Sequence, residues 1–457
     1  MASREVEIAV IGAGVAGIAT AYYLCKTHGK SSVLLIDSRQ PMSFTSAQSG
    51  DNYRNWWPHP TMAEFTNYSI DLMEQLALDS ANVLNMTRRG YVLATRRSDI
   101  DDLLGELRLC FDGTEEDGVR FRSDSSPGSY EPPISADWQQ APNGVDVISN
   151  KSLILDTFPS FSKDIANVVH IRRAGSISSQ QMGQYMLEQI REAGGKRVSA
   201  TVRGIEHNNK FTIDLDGGEQ INADIVVNAA GPFAKELAAM LGSDLPIQNV
   251  FQQKIAFDDE LGAIPRDLPF SIDLDQQTLD WAPDEREMLA EDPEMAWLAR
   301  PIPGVTHCRP DGGDSGSWVK LGWAYNSEIS QPQQDLANEP LFNEQFPEIV
   351  LRGAAALNPA LKQYSESFPT HWAHYGGYYP MTRENWPLIG PCGPPGSFVV
   401  GALSGFGSMS ACAAGAIGAA WIAGGDLPDY ATELSLARYD DKELMAELES
   451  VVNKGIL

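Results

Sequence analysis

Of the 457 residues only five are cysteine: Cys25, Cys110, Cys308, Cys392 and Cys412. They are odd in number and lack paired spacing, which argues against a disulfide scaffold or a cysteine-ligated zinc site. Free thiols in a reducing compartment are expected. Positive charge is also scarce, with 34 Lys and Arg against 61 Asp and Glu and a formal net charge of −27. A surface that binds a phosphate backbone needs clustered basic residues, so no nucleic-acid partner is expected. The acidic excess reads as a solvated surface. No apolar run approaches the length of a membrane span. The opening Met-Ala-Ser-Arg-Glu enters a strand at once, unlike a signal peptide. The terminal Gly-Ile-Leu is not the usual peroxisomal tripeptide. These absences predict a cytoplasmic protein, monomer or homodimer, with no membrane partner and no bound metal. There is no internal repeat and no low-complexity tract. At 43% hydrophobic and 21% charged residues, the chain is long enough for two domains with substantial cores.

What is present begins at the N-terminus. An apolar strand, Val6 to Ile11, runs directly into Gly12-Ala13-Gly14-Val15-Ala16-Gly17. An Ala-rich helix from Val15 to about His28 follows, and then a second strand, Val33 to Ile36, ends on Asp37. Gly12 permits the tight turn, Gly14 lets the backbone approach a pyrophosphate, and Gly17 lets helix and strand pack closely. The phosphate charge then meets the free N–H groups of a helix N-terminus. Asp37 is spaced to accept hydrogen bonds from a ribose. The six-residue pattern is weak alone, but strand, glycines, helix, second strand and acid in register are specific for a dinucleotide.

Further along, helical periodicity covers 61–80, a strand is expected at 90–95 and a helix at 99–111. Residues 112–143 are rich in Gly, Pro, Ser and Asp and read as a surface insertion. A helix is predicted over 177–193, and 198–205 alternates with 211–215 like two paired strands. A strand ending in Val227-Asn228-Ala229-Ala230-Gly231 leads to small residues that allow close approach to a ligand. Residues 258–299 form an acidic second insertion, helical in part. Strands are expected at 317–323 and 397–400. The latter enters Gly401-Ala402-Leu403-Ser404-Gly405-Phe406-Gly407 and a small-residue helix from 408 to 423, a second helix N-terminus able to face a ligand.

Taken in order, these motifs resemble the D-amino-acid-oxidase superfamily of FAD-dependent oxidoreductases. The closest pattern is that of the monomeric sarcosine oxidase, glycine oxidase and dimethylglycine dehydrogenase group. The residues that carry the resemblance are the opening fingerprint, Thr45-Ser46-Ala47-Gln48-Ser49-Gly50, the strand at Val202, the 226–231 strand end, Thr382 to Gly390, and Leu403 to Gly407. The resemblance implies an α/β fold, α+β overall. A Rossmann-like FAD-binding domain would be assembled from discontinuous segments (1–85, 150–240 and 370–435). A substrate domain (86–149 and 241–369) would supply a mainly antiparallel sheet, and 436–457 a C-terminal helix and tail. It also implies FAD held by Gly12, Ala13, Gly14, Val15, Ala16, Gly17, Asp37, Ser38 and Arg39. Ser46, Ala47, Gln48, Ser49, Gly50, Val202, Ala230 and Gly231 would line it further along, and Gly405, Phe406, Gly407, Ser408 and Met409 would face the pyrimidine end of the ring.

The same resemblance gives Lys320, in Val319-Lys320-Leu321-Gly322-Trp323, the part of the lysine that promotes reaction with oxygen, where a fixed cation stabilises superoxide. Arg54 falls within one residue of a flavin-side arginine. The family's carboxylate clamp is missing: Trp57, Met409, Phe406 and Ala324 stand at its positions. Arg300, Arg309 and Arg383 are possible replacements. Aromatic residues Tyr53, Trp56, Trp57, Trp323 and Tyr378 are candidates for substrate contact. The cysteine and histidine that carry covalent flavin in relatives are here Gly377 and Ala47, so FAD is expected to be non-covalent. The expectation is an oxidase of an amine or amino-acid-like small molecule, apolar or aromatic or lacking the usual carboxylate hold, using O₂ and releasing H₂O₂. The alternatives are an amine dehydrogenase with another electron acceptor, or a non-catalytic flavoprotein that serves as a binding module.

Overall fold

The computed structural model describes residues 3–111, 117–124, 130–133, 138–313, 315–334, 342–450 and Gly455. Most of the strands build two large sheets. The first has a parallel centre: Lys196–Ser199, Val33–Asp37, Ser3–Ile11 and Gln220–Asn228 lie side by side. Val33 to Ile36 and Ile8 to Ile11 are buried on both faces, which explains their continuous apolar sequences, while Lys196–Ser199 is an exposed edge. Ile8 and Val10 enter one core with the helix Val15–Lys26, while Val6, Ala9 and Ile11 enter another beneath the sheet. The strands Val202–Asn208 and Lys210–Leu215 form an antiparallel edge, and Ser397–Gly401 pairs in parallel with the last residues of Gln220–Asn228. The fold is thus mixed α/β, with a Rossmann-like sheet whose strands come from widely separated parts of the chain.

The second sheet has nine strands, in the spatial order Trp372–Met381, Gln248–Asp258, Trp318–Gly322, Thr306–Pro310, Phe270–Asp273, Tyr91–Thr95, Asn167–Ile171, Val145–Ile148 and Val119–Arg122. All its neighbours are antiparallel except Phe270–Asp273 beside Tyr91–Thr95 and Val119–Arg122 beside Val145–Ile148. Successive side chains on a strand point to opposite faces. Ile255, Phe257, Cys308, Val319 and Leu321 pack into a core shared with the helix Phe346–Leu357. Their neighbours Lys254, His307, Arg309 and Lys320 therefore lie on the other face, and the pairing registers bring them together with Tyr375.

Several expectations need correction. The expected insertion 112–143, part of which lies outside the described residues, contains the sheet strand Val119–Arg122. The acidic insertion 258–299 contains Phe270–Asp273, an interior strand of the second sheet, as well as the helix Pro283–Glu291. The predicted single strand over 198–205 is two strands, Lys196–Ser199 and Val202–Asn208. It breaks because the first pairs with Val33–Asp37 and the second joins the opposite edge of the same sheet. The expectation of no span-length apolar run also fails. Ser404–Ala423 is long and apolar enough to cross a membrane by length and composition, but 78% of that stretch is buried inside the protein. It is a core helix, and its small residues let it pack closely on Val15–Lys26: a Cβ at Gly415 would lie 2.6 Å from Ala19 carbon.

Candidate functional site

At the C-terminal end of the parallel strands lies a cavity of about 390 Å³, the place where open α/β sheets bind ligands. Its first wall is the fingerprint turn. Gly12 has φ +110°, and a Cβ there would sit 2.2 Å from the carbonyl oxygen of Ala229. Only glycine lets the turn rest on the end of the neighbouring strand. Gly17 approaches even closer, since a Cβ would be 2.0 Å from the oxygen of Gly12. It does not line the cavity; its part is the close packing of helix against strand. The Asp37 carboxylate accepts hydrogen bonds from the backbone N–H of Ala13 at 2.7 Å and of Arg39 at 2.8 Å. An ionised carboxylate has about four acceptor positions, so Asp37 can hold the turn and still accept from ribose hydroxyls. Arg39 lies over the rings of Phe44 and Phe233, 4.3 and 5.4 Å from their centres, and donates to the backbone and side-chain oxygens of Gln334.

The residues expected around a dinucleotide are largely brought together. Gly12 to Ala16, Asp37, Ser38, Arg39, Ser46, Gln48, Ser49, Gly50, Val202, Ala230, Gly231, Gly405, Gly407 and Ser408 all line the cavity. Ser46 accepts from the N–H of Val15 at 3.0 Å, and Ser408 donates to Ser49 at 2.8 Å, joining the early loop to the late helix. The exceptions have simple causes. Ala47 is exposed, on the outer side of the 3-10 turn Thr45–Gln48. Phe406 and Met409 point into the core, where the ring of Phe406 meets Trp57 edge-on at 4.7 Å.

The cavity is long and glycine-walled, and it passes from an acid at one end to the second sheet at the other. That shape fits FAD in an extended form. At the sheet end a Cβ on Gly405 would lie 2.4 Å from the Tyr379 ring, and one on Gly377 would lie 3.2 Å from Gln48 Cβ. Side chains at these positions would fill the cradle. Close by are buried polar atoms with no partner among the described residues: Asp51 Oδ1, Arg309 Nε and Tyr375 Oη. Buried polar groups are normally paired, so such a cluster is suited to receiving a ligand.

Lys320 sits on this face of the sheet, outside the lining of the cavity. Its ammonium is 3.2 Å from Asp311, whose other oxygen is 2.8 Å from Arg309. Burial and the nearby Arg309 charge lower the lysine pKa, while Asp311 and Asp51 oppose them. Burial alone would raise the Asp311 carboxyl, but Arg309 and Lys320 more than offset this and hold it low. The three groups are a compact, partly compensated charge cluster.

Other candidates are placed differently from their expected roles. Arg54 is buried beneath the site. It donates to the backbone oxygens of Trp56 and Gly455 and to the hydroxyl of Tyr91, 3.0 Å away, and it does not line the cavity. Tyr53, Trp56, Trp57, Trp323 and Tyr378 are all essentially inaccessible, and none lines the cavity. Tyr53 donates to the oxygen of Thr87, Trp323 donates to Pro303 and Gly304, and Tyr378 is stacked against Phe44. The proposed aromatic substrate contacts are packing contacts, the usual fate of large rings with a polar handle. Of the three arginines offered as replacements for the clamp, Arg300 is exposed and Arg383 is paired with Glu449 at the surface. Arg309 alone lies on the polar face of the sheet.

Lys254, which the sequence did not single out, lines the cavity together with Tyr379, one of the aromatics that the sequence offers as able to surround an amine. Lys254 is half-buried on Gln248–Asp258, donates to the backbone oxygen of Gln48 at 3.2 Å, and lies 5.7 Å from the centre of the Tyr379 ring. Its signal is a lysine at 254 alternating with the buried Ile255 and Phe257, weakened by the polar Asn249 and Gln253 on their face.

Comparison with known proteins agrees with this geometry. An uncharacterized oxidoreductase of Bacillus subtilis, YurR, is 23% identical over 240 residues, 51% of this chain. The match spans 57% of the length of that relative. The structure is similar to L-proline dehydrogenase from P. horikoshii, with TM-score 0.70, 17% identity, and coverage of 96% of this chain and 99% of that one. It is also similar to glycine oxidase from Geobacillus kaustophilus, with TM-score 0.67, 18% identity, and coverage of 95% and 99%. At these identities the likeness speaks for the fold. The model of the DAO family, FAD dependent oxidoreductase, matches residues 7–421. Coming after the glycine turn, the acid and the extended cavity, that match over nearly the whole chain means that this protein belongs to the DAO family of FAD-dependent oxidoreductases.

Proposed function

We propose that the protein is an oxidase that removes hydrogen from a carbon beside an amine nitrogen and returns the electrons to O₂ as H₂O₂. Bound non-covalently, FAD would supply the hydride acceptor and the reaction with oxygen. The protein's own work is positioning and charge. The turn at Gly12 to Ala16 would hold the pyrophosphate at a helix N-terminus, and Asp37 the ribose. The sheet face bearing Tyr375, Tyr379 and Lys254 would cover the reacting end and orient the amine.

The observation that carries the oxidase reading is Lys320. It is a mostly buried cation on this sheet face, held by Asp311 and in the field of Asp51, beside the loop that lines the cavity. A fixed positive charge there lowers the energy of superoxide as it forms. Lys320→Met should leave anaerobic reduction of the flavin by an amine unchanged and slow reoxidation by O₂ about 100-fold or more, as followed by stopped flow. Unchanged reoxidation would remove Lys320 from the oxygen step.

A second reading is favoured by one feature of the same cluster. Asp311 already compensates Lys320 and Arg309, which weakens the field available to superoxide. The protein would then pass electrons to a carrier other than oxygen. H₂O₂ released per amine consumed separates the two, with a ratio near one for the oxidase.

A further inference from the structure

The sheet face above the FAD cavity carries three cations that differ in one respect. Arg309 and Lys320 share the Asp311 carboxylate, at 2.8 and 3.2 Å. Lys254 has no such partner. Its ammonium meets a backbone oxygen, that of Gln48, and the face of the Tyr379 ring, and among the described residues no carboxylate lies within ion-pair distance. A half-buried lysine gives up part of its hydration, which is costly unless an anion restores it. The lining of the cavity includes two basic side chains among the described residues, Arg39 and Lys254. Arg39 stands at the end marked by Asp37 and is occupied by Gln334.

A cofactor lying along the cavity with its pyrophosphate at the glycine turn would bring no formal negative charge to Lys254. The pyrophosphate belongs with the turn Gly12 to Ala16, and the oxidised ring carries no formal charge. Across the strand pair, Lys254 stands directly opposite Tyr375, whose hydroxyl is buried and without a partner among the described residues. Lys254 lines the cavity and Tyr375 does not, so the ammonium is the donor that a ligand in the cavity meets, with the Tyr375 hydroxyl on the neighbouring strand in the field of Arg309, Asp311 and Asp51. The positions from which relatives would grip a carboxylate offer nothing comparable, because Trp57 and Met409 are packed in the core.

We propose that Lys254, assisted by the Tyr375 hydroxyl, holds the anionic group of the substrate, a carboxylate, from the sheet side of the cavity. The substrate is then an amine that also carries a carboxylate, and its hold has moved from the loop wall to the sheet. This rests on the amine-oxidation reading for the chemistry, but the binding step can be tested without turnover.

The test uses the FAD-loaded enzyme under nitrogen, with the visible spectrum of the flavin as the signal. Acetate, glycolate, benzoate and indole-3-acetate are titrated beside their neutral amides. In the unmodified enzyme at least one carboxylate should bind 10-fold or more tightly than its amide. Lys254→Met should weaken that carboxylate at least 30-fold and leave the amide unchanged, and Lys254→Arg should recover most of the loss. Tyr375→Phe should cost about 5- to 10-fold. Lack of binding by any carboxylate, or equal binding by acid and amide, would overturn the proposal in the unmodified enzyme alone. So would a Lys254→Met enzyme that binds carboxylates normally, or one whose main defect is loss of FAD. If carboxylates bind through Lys254 but no amine reduces the flavin, the oxidation reading fails and the anion site stands.

Discussion

The glycines of the opening turn show how a single carbon atom decides the site. A Cβ at Gly12 would overlap the oxygen of Ala229 and would require a left-handed backbone, since φ is +110°. Gly14 has an extended backbone, with φ −77° and ψ −177°, and a Cβ there would meet the Ser46 hydroxyl at 3.2 Å. Gly12→Ala should therefore lower stability by about 1–3 kcal/mol and yield protein largely free of flavin. Gly14→Ala should leave the fold intact and weaken FAD by narrowing the cavity. Flavin content per protein and the thermal midpoint measured together separate the two outcomes; equal behaviour would refute the distinction. Each of these glycines could be assigned from sequence because its role depends on neighbours within a few residues. The role of Trp57 could not, because nothing near it in sequence says which way its ring turns.

Among the elements, the strands of the second sheet carry three histidines kept neutral by their surroundings, and burial and the Arg172 charge hold His170 well below its usual range. Burial and the charge of Lys254 push His307 down to about 3, and burial pushes His374 down to about 4. His374 is also 2.9 Å from the Gln253 side-chain oxygen. Unfolded histidine titrates near 6.5. Between that value and the folded values the unfolded chain binds more protons, so stability is full above about pH 6.5 and falls as pH drops toward 4. Each histidine contributes up to about 1.4 kcal/mol per pH unit in that window. Denaturant unfolding from pH 7.5 to pH 4.5 should show the decline, and His374→Gln should flatten it. A pH-independent profile would contradict the neutral assignment. The strand that carries Lys254 was overlooked in the sequence because glutamines and asparagine interrupt its alternation. The split of 196–208 into two strands was hidden because both halves have strand-like composition.

At the scale of the molecule, a buried ion pair fastens the C-terminal region to the Thr382–Gly390 run. Arg438 donates to Glu384 at 2.7 Å and to the oxygen of Pro387 at 2.7 Å, and both charged side chains are almost fully enclosed. Removing one partner leaves the other charge buried and unpaired. Arg438→Met should cost about 3–5 kcal/mol in denaturant unfolding, and adding Glu384→Gln should recover part of it. If the double variant is less stable than the single, the two residues are not energetically linked. Because the run Thr382 to Gly390 leads into Leu388–Pro391, which pairs with the strand Ser397–Gly401 that precedes the cavity residues Gly405 and Gly407, loosening this clasp should also lower FAD retention.

Read alone, the sequence determined the cofactor end of this protein. The turn Gly12 to Gly17, the acid Asp37 and the small-residue junctions at Ala229 and Gly405 work through contiguous backbone, so their spacing is their geometry. It also singled out Lys320, through the resemblance of the strand that carries it. Tertiary structure alone decided which charges share a face. Lys254, His307, Arg309, Lys320 and Tyr375 come from four strands, and they meet because the pairing registers align them and the helix Phe346–Leu357 claims the opposite face. The same packing buried Trp56, Trp57 and Tyr378. Cofactor binding was local and therefore legible; the charged face of the second sheet is a property of register.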